Sequence, residues 1–150
     1  MTGPLEGLRV VEVGQALAGP LAGAILADMG AEVVKVEKPD GGDDARGWGP
    51  PWGPPLGGDT SLYFHGQNRN KLGVTLDLKA AGDVEALHRL CETADILIQN
   101  LRPGVVDELG IGPEAMLERH PRLVYCSIWA FGYEGPMRLA PGFDPLLQAY

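Results

Sequence analysis

Two short valine-rich segments near the N-terminus constrain the fold of this chain more than any other feature. Residues 8–13 (LRVVEV) and 32–37 (EVVKVE) are typical of strands buried on both faces, as in a parallel sheet. Between them a small-residue loop leads into a helix at 21–29, with Pro20 in its first turn and Gly30 as its stop. A strand–helix–strand unit of this kind predicts a right-handed crossover between parallel strands.

The rest of the chain continues the alternation of strands and helices. Further strands are expected at residues 72–78, 95–99 and 123–129, and further helices at 80–93, 103–109 and 113–119. This order predicts an α/β fold of Rossmann-like type, with an open, mainly parallel sheet and flanking helices.

Composition excludes several classes of protein. The 150 residues suffice for one domain with a core, and the net charge of −8 argues against a general nucleic-acid binder. Cys91 and Cys126 are too few for a disulfide framework, so both are expected to be buried, reduced thiols. No histidine or cysteine spacing suggests a metal site. Because there is neither a signal peptide nor an apolar run of membrane length, a cytoplasmic protein with no membrane partner is expected.

Two segments are unusual for a compact domain. Residues 38–60 are rich in proline and glycine and carry Trp48 and Trp52, so this long loop is expected to be functional or mobile. At the other end a helix is expected to begin after Pro145, yet the sequence stops at Tyr150 without a cap. We therefore expect residues 1–150 to be the N-terminal portion of a larger protein, the alternative being a short docked terminal helix.

The loop after the first strand is the expected ligand site of an open α/β sheet. Residues 14–20 lack the G-x-G-x-x-G pattern, and Pro20 removes a backbone donor, so a nicotinamide cofactor is not expected. The loop nevertheless places small residues and a helix N-terminus at the carboxyl edge of the sheet, where an anionic group can bind.

Histidines and basic residues are few enough to be considered singly. His65 lies beside a polar run and is the histidine expected to face a ligand, whereas His88 is expected to pack and His120 to cap a helix or be solvated. Basic side chains near strand ends could together hold phosphates, or be ordinary solvated charges; they are Lys38, Arg69, Lys71, Lys79 and Arg102.

Several segments in this order resemble the family III coenzyme A transferases, the CaiB/BaiF family. They are the N-terminal LEGLRVVEVGQALAGPLAGAILADMGAEVVKVEKPDGGDDAR, then SLYFHGQNRNK, VTLDLK, ADILIQNLRPGVVDELGIG, PRLVYCSIWAFGYEGP and PGFDPLLQA. The resemblance covers essentially the whole chain. It implies the large Rossmann-like domain of an enzyme whose two ring-like subunits interlock as a homodimer. It also implies acyl-CoA and a carboxylic acid as substrates, with coenzyme A binding as a substrate and no permanently bound cofactor.

The resemblance also assigns positions around coenzyme A. Ala16, Leu17 and Ala18 match residues that line the site, and Lys38 matches a basic position near the adenosine phosphate. Leu76 and Leu78 match apolar positions around the adenine. Asn100, Leu101 and Val105 match the loop that passes the pantetheine and the diphosphate.

The catalytic aspartate of the family lies beyond Tyr150, so the resemblance implies no nucleophile in this chain and an inactive fragment. Asp144 matches an acidic position that can support the site. Phe143 stands where the related α-methylacyl-CoA racemase has a histidine, which disfavours the racemase alternative because phenylalanine cannot exchange a proton. The resemblance also gives formyl-CoA transferase a glutamine where Leu17 stands and a basic residue where Glu108 stands, so formyl or oxalyl specificity is not expected. We therefore expect an acyl-CoA:carboxylate transferase, the other alternative being a complete nucleotide-binding or interaction module.

Overall fold

The protein forms an α/β structure around one five-stranded parallel sheet. The computed structural model describes residues 3–50 and 60–149. The strands are β1 (Arg9–Val13), β2 (Glu32–Glu37), β3 (Lys71–Thr75), β4 (Ile96–Gln99) and β5 (Val124–Ser127). The helices are α1 (Ala18–Asp28), α2 (Leu62–Asn68), α3 (Ala81–Cys91), α4 (Val105–Glu108), α5 (Pro113–Arg119) and α6 (Asp144–Gln148), with a 3₁₀ helix at Asp44–Gly47.

The strand order is β3-β2-β1-β4-β5, and every neighbouring pair is parallel. The chain builds outward from β1 to β2 and β3, then returns to the other side of β1 for β4 and β5. The predicted Rossmann-like fold is therefore confirmed. The point where the order reverses lies between β1 and β4, and in open α/β sheets this is where ligands bind.

Alternating side chains of the central strands supply two cores, because successive residues of a strand face opposite sides of the sheet. On one side, Val11 and Leu97 pack with Leu87 of α3 and Met116 of α5. On the other side, a second cluster contains Val10, Val33 and Ile98 of the strands, together with Ala27 of α1 and Ala31 just before β2. Apolar residues on both faces explain why these strands lack a simple alternation of apolar and polar residues.

Most predicted elements are present, with differences at their ends. The segments 32–37 and 113–119 match β2 and α5. The third strand ends at Thr75 rather than at residue 78, and the helix expected at 103–109 is the single turn Val105–Glu108. Helix α2 was not predicted. It begins because the Ser61 hydroxyl accepts a hydrogen bond from the Phe64 N–H at 3.1 Å.

The two unusual segments fall only partly within the described residues. Residues 51–59 of the predicted long loop, including Trp52, lie outside them. At the other end, residues 141–149 are all solvent-exposed, and the helix expected after Pro145 is the short α6. Within the described ranges, no helix is long and apolar enough to cross a bilayer.

Of the two predicted buried thiols, Cys91 is buried, and this burial raises its pKa to about 12. Cys126 is only half-buried, so the expectation of a fully buried thiol is wrong there. Both cysteines are free thiols.

Candidate functional site

A cleft of about 200 Å³ opens at the carboxyl edge of the sheet, where β1, β2, β3 and β4 end. Its lining comes from the last residues of β1 and β2 and from the segments that follow the four strands: Val13, Gly14, Gln15, Val36, Glu37, Lys38, Gly42, Asp43, Leu76, Asp77, Leu78, Lys79, Leu101, Val105 and Leu109. The volume lies below the roughly 300–1,000 Å³ of complete ligand pockets. The cleft can therefore hold one part of a larger ligand.

The sequence-predicted residues divide into two groups. The lining of the cleft includes Lys38, Leu76, Leu78, Leu101 and Val105, which come from three different strand ends. These residues are brought together because the carboxyl ends of parallel strands share one edge.

The remaining predicted residues lie beside the cleft rather than on its lining. Ala16 and Leu17 are half-buried in the first loop, and Ala18 is the exposed first residue of α1. Asn100 is half-buried directly after β4.

Asn100, directly after β4, hydrogen-bonds to the backbone of the first loop. Its Oδ1 accepts a hydrogen bond from the Gln15 N–H at 2.8 Å, and its Nδ2 donates to the Gln15 carbonyl at 2.9 Å. A larger residue alongside would clash, since a Cβ on Gly14 would lie 2.7 Å from the Asn100 Oδ1. Both backbone groups of Gln15 are thus satisfied by one side chain.

Asp43 holds the next residue of the same loop. Its Oδ1 accepts hydrogen bonds from the Ala16 N–H at 3.0 Å and from the Ala45 N–H at 2.9 Å. Its Oδ2 lies 3.0 Å from the Lys35 Nζ, and Lys35 also donates to the Gly14 carbonyl at 2.8 Å. The small residues and helix N-terminus of this loop were expected to admit an anionic group, but the N–H groups of Gln15 and Ala16 are already hydrogen-bonded within the protein.

The Asp43–Lys35 pair continues into the interior of the sheet. Glu12 bridges two lysines, with Lys35 at 2.9 Å from its Oε1 and Lys71 at 2.7 Å from its Oε2. The side chains of Glu12, Lys35, Asp43 and Lys71 are at most 2% exposed. Two positive and two negative groups neutralise one another, as buried charges must. Burial lowers the pKa of Lys71, although the Glu12 carboxylate acts in the opposite direction.

A second cluster of charged side chains lies nearer the solvent. Arg46 donates two hydrogen bonds to Glu37, at 2.7 and 2.8 Å, and Glu37 also accepts from the Asp43 N–H. Burial pushes the pKa of Glu37 upward, but the bonds from Arg46 and Asp43 outweigh it and leave this pKa lowered. Lys38 donates to Asp44 at 2.6 Å, and this hydrogen bond raises the pKa of Lys38.

The five basic residues considered from the sequence do not act together. Lys38 and Lys79 lie on the cleft, and Arg102 is exposed after β4. Arg69 pairs with Asp28 at the end of α1, and Lys71 is buried at the start of β3. The expectation of one phosphate-binding set is therefore wrong for Arg69 and Lys71, because they lie at the start of β3, at the opposite edge of the sheet from the cleft, and pair with Asp28 and Glu12.

Aromatic residues flank the 3₁₀ helix. Trp48 packs against Tyr63 with ring centroids 5.4 Å apart, and Arg46 lies 3.9 Å above the Phe64 ring. Burial raises the pKa of Tyr63, with smaller contributions from the charges of Asp43 and Asp144.

Three more candidates from the sequence can be placed. His65 lies half-buried on α2, with its ring edge-on to Phe64, and is not among the residues that line the cleft. Asp144 is exposed in the first turn of α6 and accepts a hydrogen bond from Gln148 at 2.6 Å. Phe143, before it, is 62% exposed.

His88 and His120 form a buried pair away from the cleft. His88 Nδ1 lies 3.0 Å from His120 Nε2, and the rings stack at 5.3 Å. The prediction that His88 packs is confirmed, and of the two alternatives for His120 the structure has the cap: His120 is the C-cap residue of α5 and is 8% exposed. Burial lowers the pKa of both rings, and the charge of Arg119 acts in the same direction.

Three residues of the buried network, Glu12, Lys35 and Asp43, were not predicted from the sequence. A signal for two of them was available, since an acidic and a basic residue each interrupt a valine-rich strand. The register of β1 and β2 places Glu12 directly opposite Lys35. Among the described residues, no cluster of three or more histidine, cysteine, aspartate or glutamate side chains could hold a metal ion.

The chain belongs to CoA-transferase family III, whose family model matches residues 5–150. This agrees with a ligand cleft at the switch point of a Rossmann-like sheet.

Named relatives are CoA-transferases. The chain is 43% identical over 147 residues to succinate–glutarate CoA-transferase of Agrobacterium fabrum, covering 97% of this chain and 37% of that protein. It is 42% identical over 147 residues to acetyl-CoA:oxalate CoA-transferase of Acetobacter aceti, covering 98% of this chain and 36% of that protein.

Solved structures show the same similarity. The crystal structure of a CAIB/BAIF family protein from Brucella suis matches with a TM-score of 0.94 and 42% identity, covering 99% of this chain and 39% of that one. The chain thus spans little more than a third of the length of these relatives.

Proposed function

We propose that this chain is the N-terminal, coenzyme-handling portion of an enzyme that moves coenzyme A between carboxylic acids. The observation that carries the proposal is the cleft at the switch point, where leucines from the ends of β3 and β4 lie beside Lys38 and Lys79. An adenine needs apolar faces, and phosphates need cations. The family of the chain and the names of its relatives support the same activity.

In the proposed arrangement the adenine lies against Leu76 and Leu78, with the adenosine phosphate at Lys38. The pantetheine passes Leu101 and Val105 toward the first loop, where the small side chains of 16–18 permit close approach. Lys38 must exchange Asp44 for the phosphate when the ligand binds, since the two side chains are hydrogen-bonded to each other. Such an exchange is feasible because both side chains are about half exposed.

The proposed reaction uses an aspartate beyond residue 150 as nucleophile. Its carboxylate attacks the acyl-CoA thioester, so that an acyl–aspartyl anhydride forms and the coenzyme A thiolate leaves. The thiolate then attacks the aspartyl carbonyl, which releases the donor acid and leaves an aspartyl-CoA thioester. The acceptor carboxylate repeats these two steps in reverse, taking the coenzyme and regenerating the aspartate. Residues 1–150 alone are expected to be inactive, with Asp144 in a supporting role.

A transferase is favoured over a racemase by position 143. Proton exchange beside a thioester carbonyl requires an acid–base group, and the residue before Asp144 is Phe143. The proposal includes a cytoplasmic enzyme that binds neither nucleic acid nor membranes and forms an interlocked homodimer. The apolar side chains of Leu139, Phe143 and Leu146 are exposed, which supports a partner subunit that covers them.

The test is an assay of the full-length protein that carries these residues. With succinyl-CoA and glutarate, or a panel of other carboxylic acids, formation of the acceptor's CoA thioester without free coenzyme A is expected. The 1–150 chain assayed in parallel should produce none. If the full-length protein instead exchanges an α-proton of 2-methylacyl-CoA for deuterium without any acceptor acid, the transferase proposal is wrong and a racemase replaces it.

A further inference from the structure

We infer that Asp43 is a positioning residue, which together with Lys35 holds the loop of residues 14–17 in the conformation that walls the cleft. This inference rests on the proposed coenzyme A site, since its functional consequence is the affinity of that site. Asp43 and the loop both contribute to the cleft lining, although they lie on different segments of the chain.

Two hydrogen bonds of the Asp43–Lys35 pair reach the loop backbone. Asp43 accepts from the Ala16 N–H, while its ion partner Lys35 donates to the Gly14 carbonyl. These two backbone groups lie on either side of Gln15, which Asn100 holds independently. The loop is therefore fixed from the β2 side by a pair of charges and from the β4 side by an amide.

The backbone of Ala16 gives a reason why such fixing is needed. Its φ is 65°, in the left-handed region that residues with a Cβ rarely adopt. A residue in this region keeps its conformation only when surrounding contacts impose it. The hydrogen bond from the Ala16 N–H to Asp43 is such a contact, so its loss should allow Ala16 to relax and the loop to move.

Stability alone does not explain why Lys35 and Asp43 form a buried ion pair. Replacing a buried ion pair with apolar residues is often neutral or stabilising. Apolar residues could not accept from Ala16 and donate to Gly14, however. The need to shape the loop therefore gives a reason for a charged Lys35 within the valine-rich strand β2.

The same contacts limit which part of the ligand can lie against the loop of residues 14–17. The N–H groups of Gln15 and Ala16 already donate within the protein, so the loop offers neither of them to an anion. Cationic side chains lie instead at the ends of β2 and β3, at Lys38 and Lys79. The loop should thus meet a neutral part of the ligand, while the phosphates lie on the β2–β3 side.

The experiment compares Asp43→Asn and Asp43→Ala in the full-length protein, using two readouts. Hydrogen exchange of the 14–17 backbone reports the loop, and titration calorimetry with coenzyme A reports the site. We expect faster exchange and a Kd raised about tenfold in Asp43→Ala, equivalent to ~1.4 kcal/mol, and smaller changes of both quantities in Asp43→Asn. Asp43→Asn tests the charge alone, since its side-chain oxygen can still accept from Ala16.

A rescue variant separates positioning from general stability. Glycine adopts positive φ without strain, so Ala16→Gly added to Asp43→Ala should recover part of the affinity without recovering the melting temperature. Leu123→Ala is the control for destabilisation, because Leu123 is buried beside β5, away from the cleft. It should lower the melting temperature and leave the Kd unchanged.

The outcomes separate this inference from the proposed function. If the unsubstituted protein binds no coenzyme A, the proposed site is wrong, and the exchange data still decide whether Asp43 holds the loop. If it binds, then unchanged exchange in Asp43→Ala overturns the inference. Faster exchange with an unchanged Kd also overturns it, as does an equal loss of affinity in Leu123→Ala.

Discussion

Asn100 hydrogen-bonds to both backbone polar groups of Gln15, a residue 85 positions earlier in the chain. The resemblance to family III transferases places Asn100 near the bound coenzyme. In the structure its side chain joins the end of β4 to the loop after β1, across the point where the strand order reverses. A residue that matches a ligand-binding position can thus act on the ligand through the loop that it holds.

Asn100→Ala is expected to lower the free energy of unfolding by about 1–2 kcal/mol, because it leaves two backbone groups of Gln15 without their partner. Coenzyme A affinity should fall together with stability. Urea unfolding and calorimetry on the full-length protein measure the two quantities. Loss of affinity with unchanged stability would show that the side chain contacts the ligand directly, contrary to its role as a loop clamp.

Lys38 and Asp44 are expected to have opposite effects on coenzyme binding. Lys38→Ala should weaken the binding of coenzyme A by roughly 1 kcal/mol, as for a partly exposed charged contact. Asp44→Asn should strengthen it, since the ion pair that competes with the phosphate for the Lys38 ammonium is lost. Calorimetry on the full-length variants measures both effects.

The ligand supplies the control for this pair. Dephospho-coenzyme A lacks the 3′-phosphate of the adenosine, so the effects of both substitutions should largely disappear when it replaces coenzyme A in the calorimeter. If Lys38→Ala weakens the binding of both ligands equally, Lys38 does not contact the adenosine phosphate.

The fold could be predicted largely because local patterns determine it. Residues 32–37 and 113–119 have the expected bounds, since β-branched residues and a proline-opened helix mark them without help from distant contacts. Helix α2 was missed because Leu62–Asn68 contains Gly66 and lacks an apolar period, so it depends on the cap at Ser61.

The site could be predicted only where position after a strand was enough. Lys38, Leu76 and Leu101 follow strands, and the common edge of a parallel sheet brings them together. The contact of Asp43 with Ala16 joins two irregular loops, whose paths follow from hydrogen bonds and not from periodicity. No pattern in one sequence indicates such a contact.

Gly23 lies in the middle of α1, where alanine would ordinarily favour the helix. A Cβ at this position would nevertheless overlap the Glu12 Oε2, and that oxygen is held in place by Lys71. Gly23→Ala is therefore expected to destabilise the protein by about 1–3 kcal/mol, as for an overpacked core. Urea unfolding measures the change.

Gly66→Ala in α2 is the matched control for this substitution. Apart from its chain neighbours and the nearby backbone of α2 itself, a Cβ added at Gly66 would have no atom of the described residues within 4 Å, so a gain of roughly 0.5–1 kcal/mol is expected. A stabilised Gly23→Ala protein would contradict the close packing of α1 on Glu12.

The His88–His120 pair should make stability depend on pH. Both folded-state pKa values lie below the ordinary 6.5, because burial and the Arg119 charge disfavour the imidazolium, while Glu85 acts in the opposite direction. Below about pH 6.5 the unfolded state therefore binds more protons than the folded state, and stability must fall as the pH falls. Above that pH the pair is neutral in both states and the dependence ends.

The double variant His88→Asn, His120→Gln tests this dependence, because its amides can replace the ring-to-ring hydrogen bond but cannot take up a proton in this range. Melting temperatures are measured between about pH 5 and 8, across the histidine titration range. The unsubstituted protein should lose more stability than the double variant toward pH 5, and the two curves should run parallel above about pH 7. Because Glu85, Glu92 and Arg119 surround the pair and stay in both proteins, their contributions cancel in the difference. Parallel curves over the whole range would mean that the two histidines bind protons equally in the folded and unfolded states, and the buried pair would then have no part in acid unfolding.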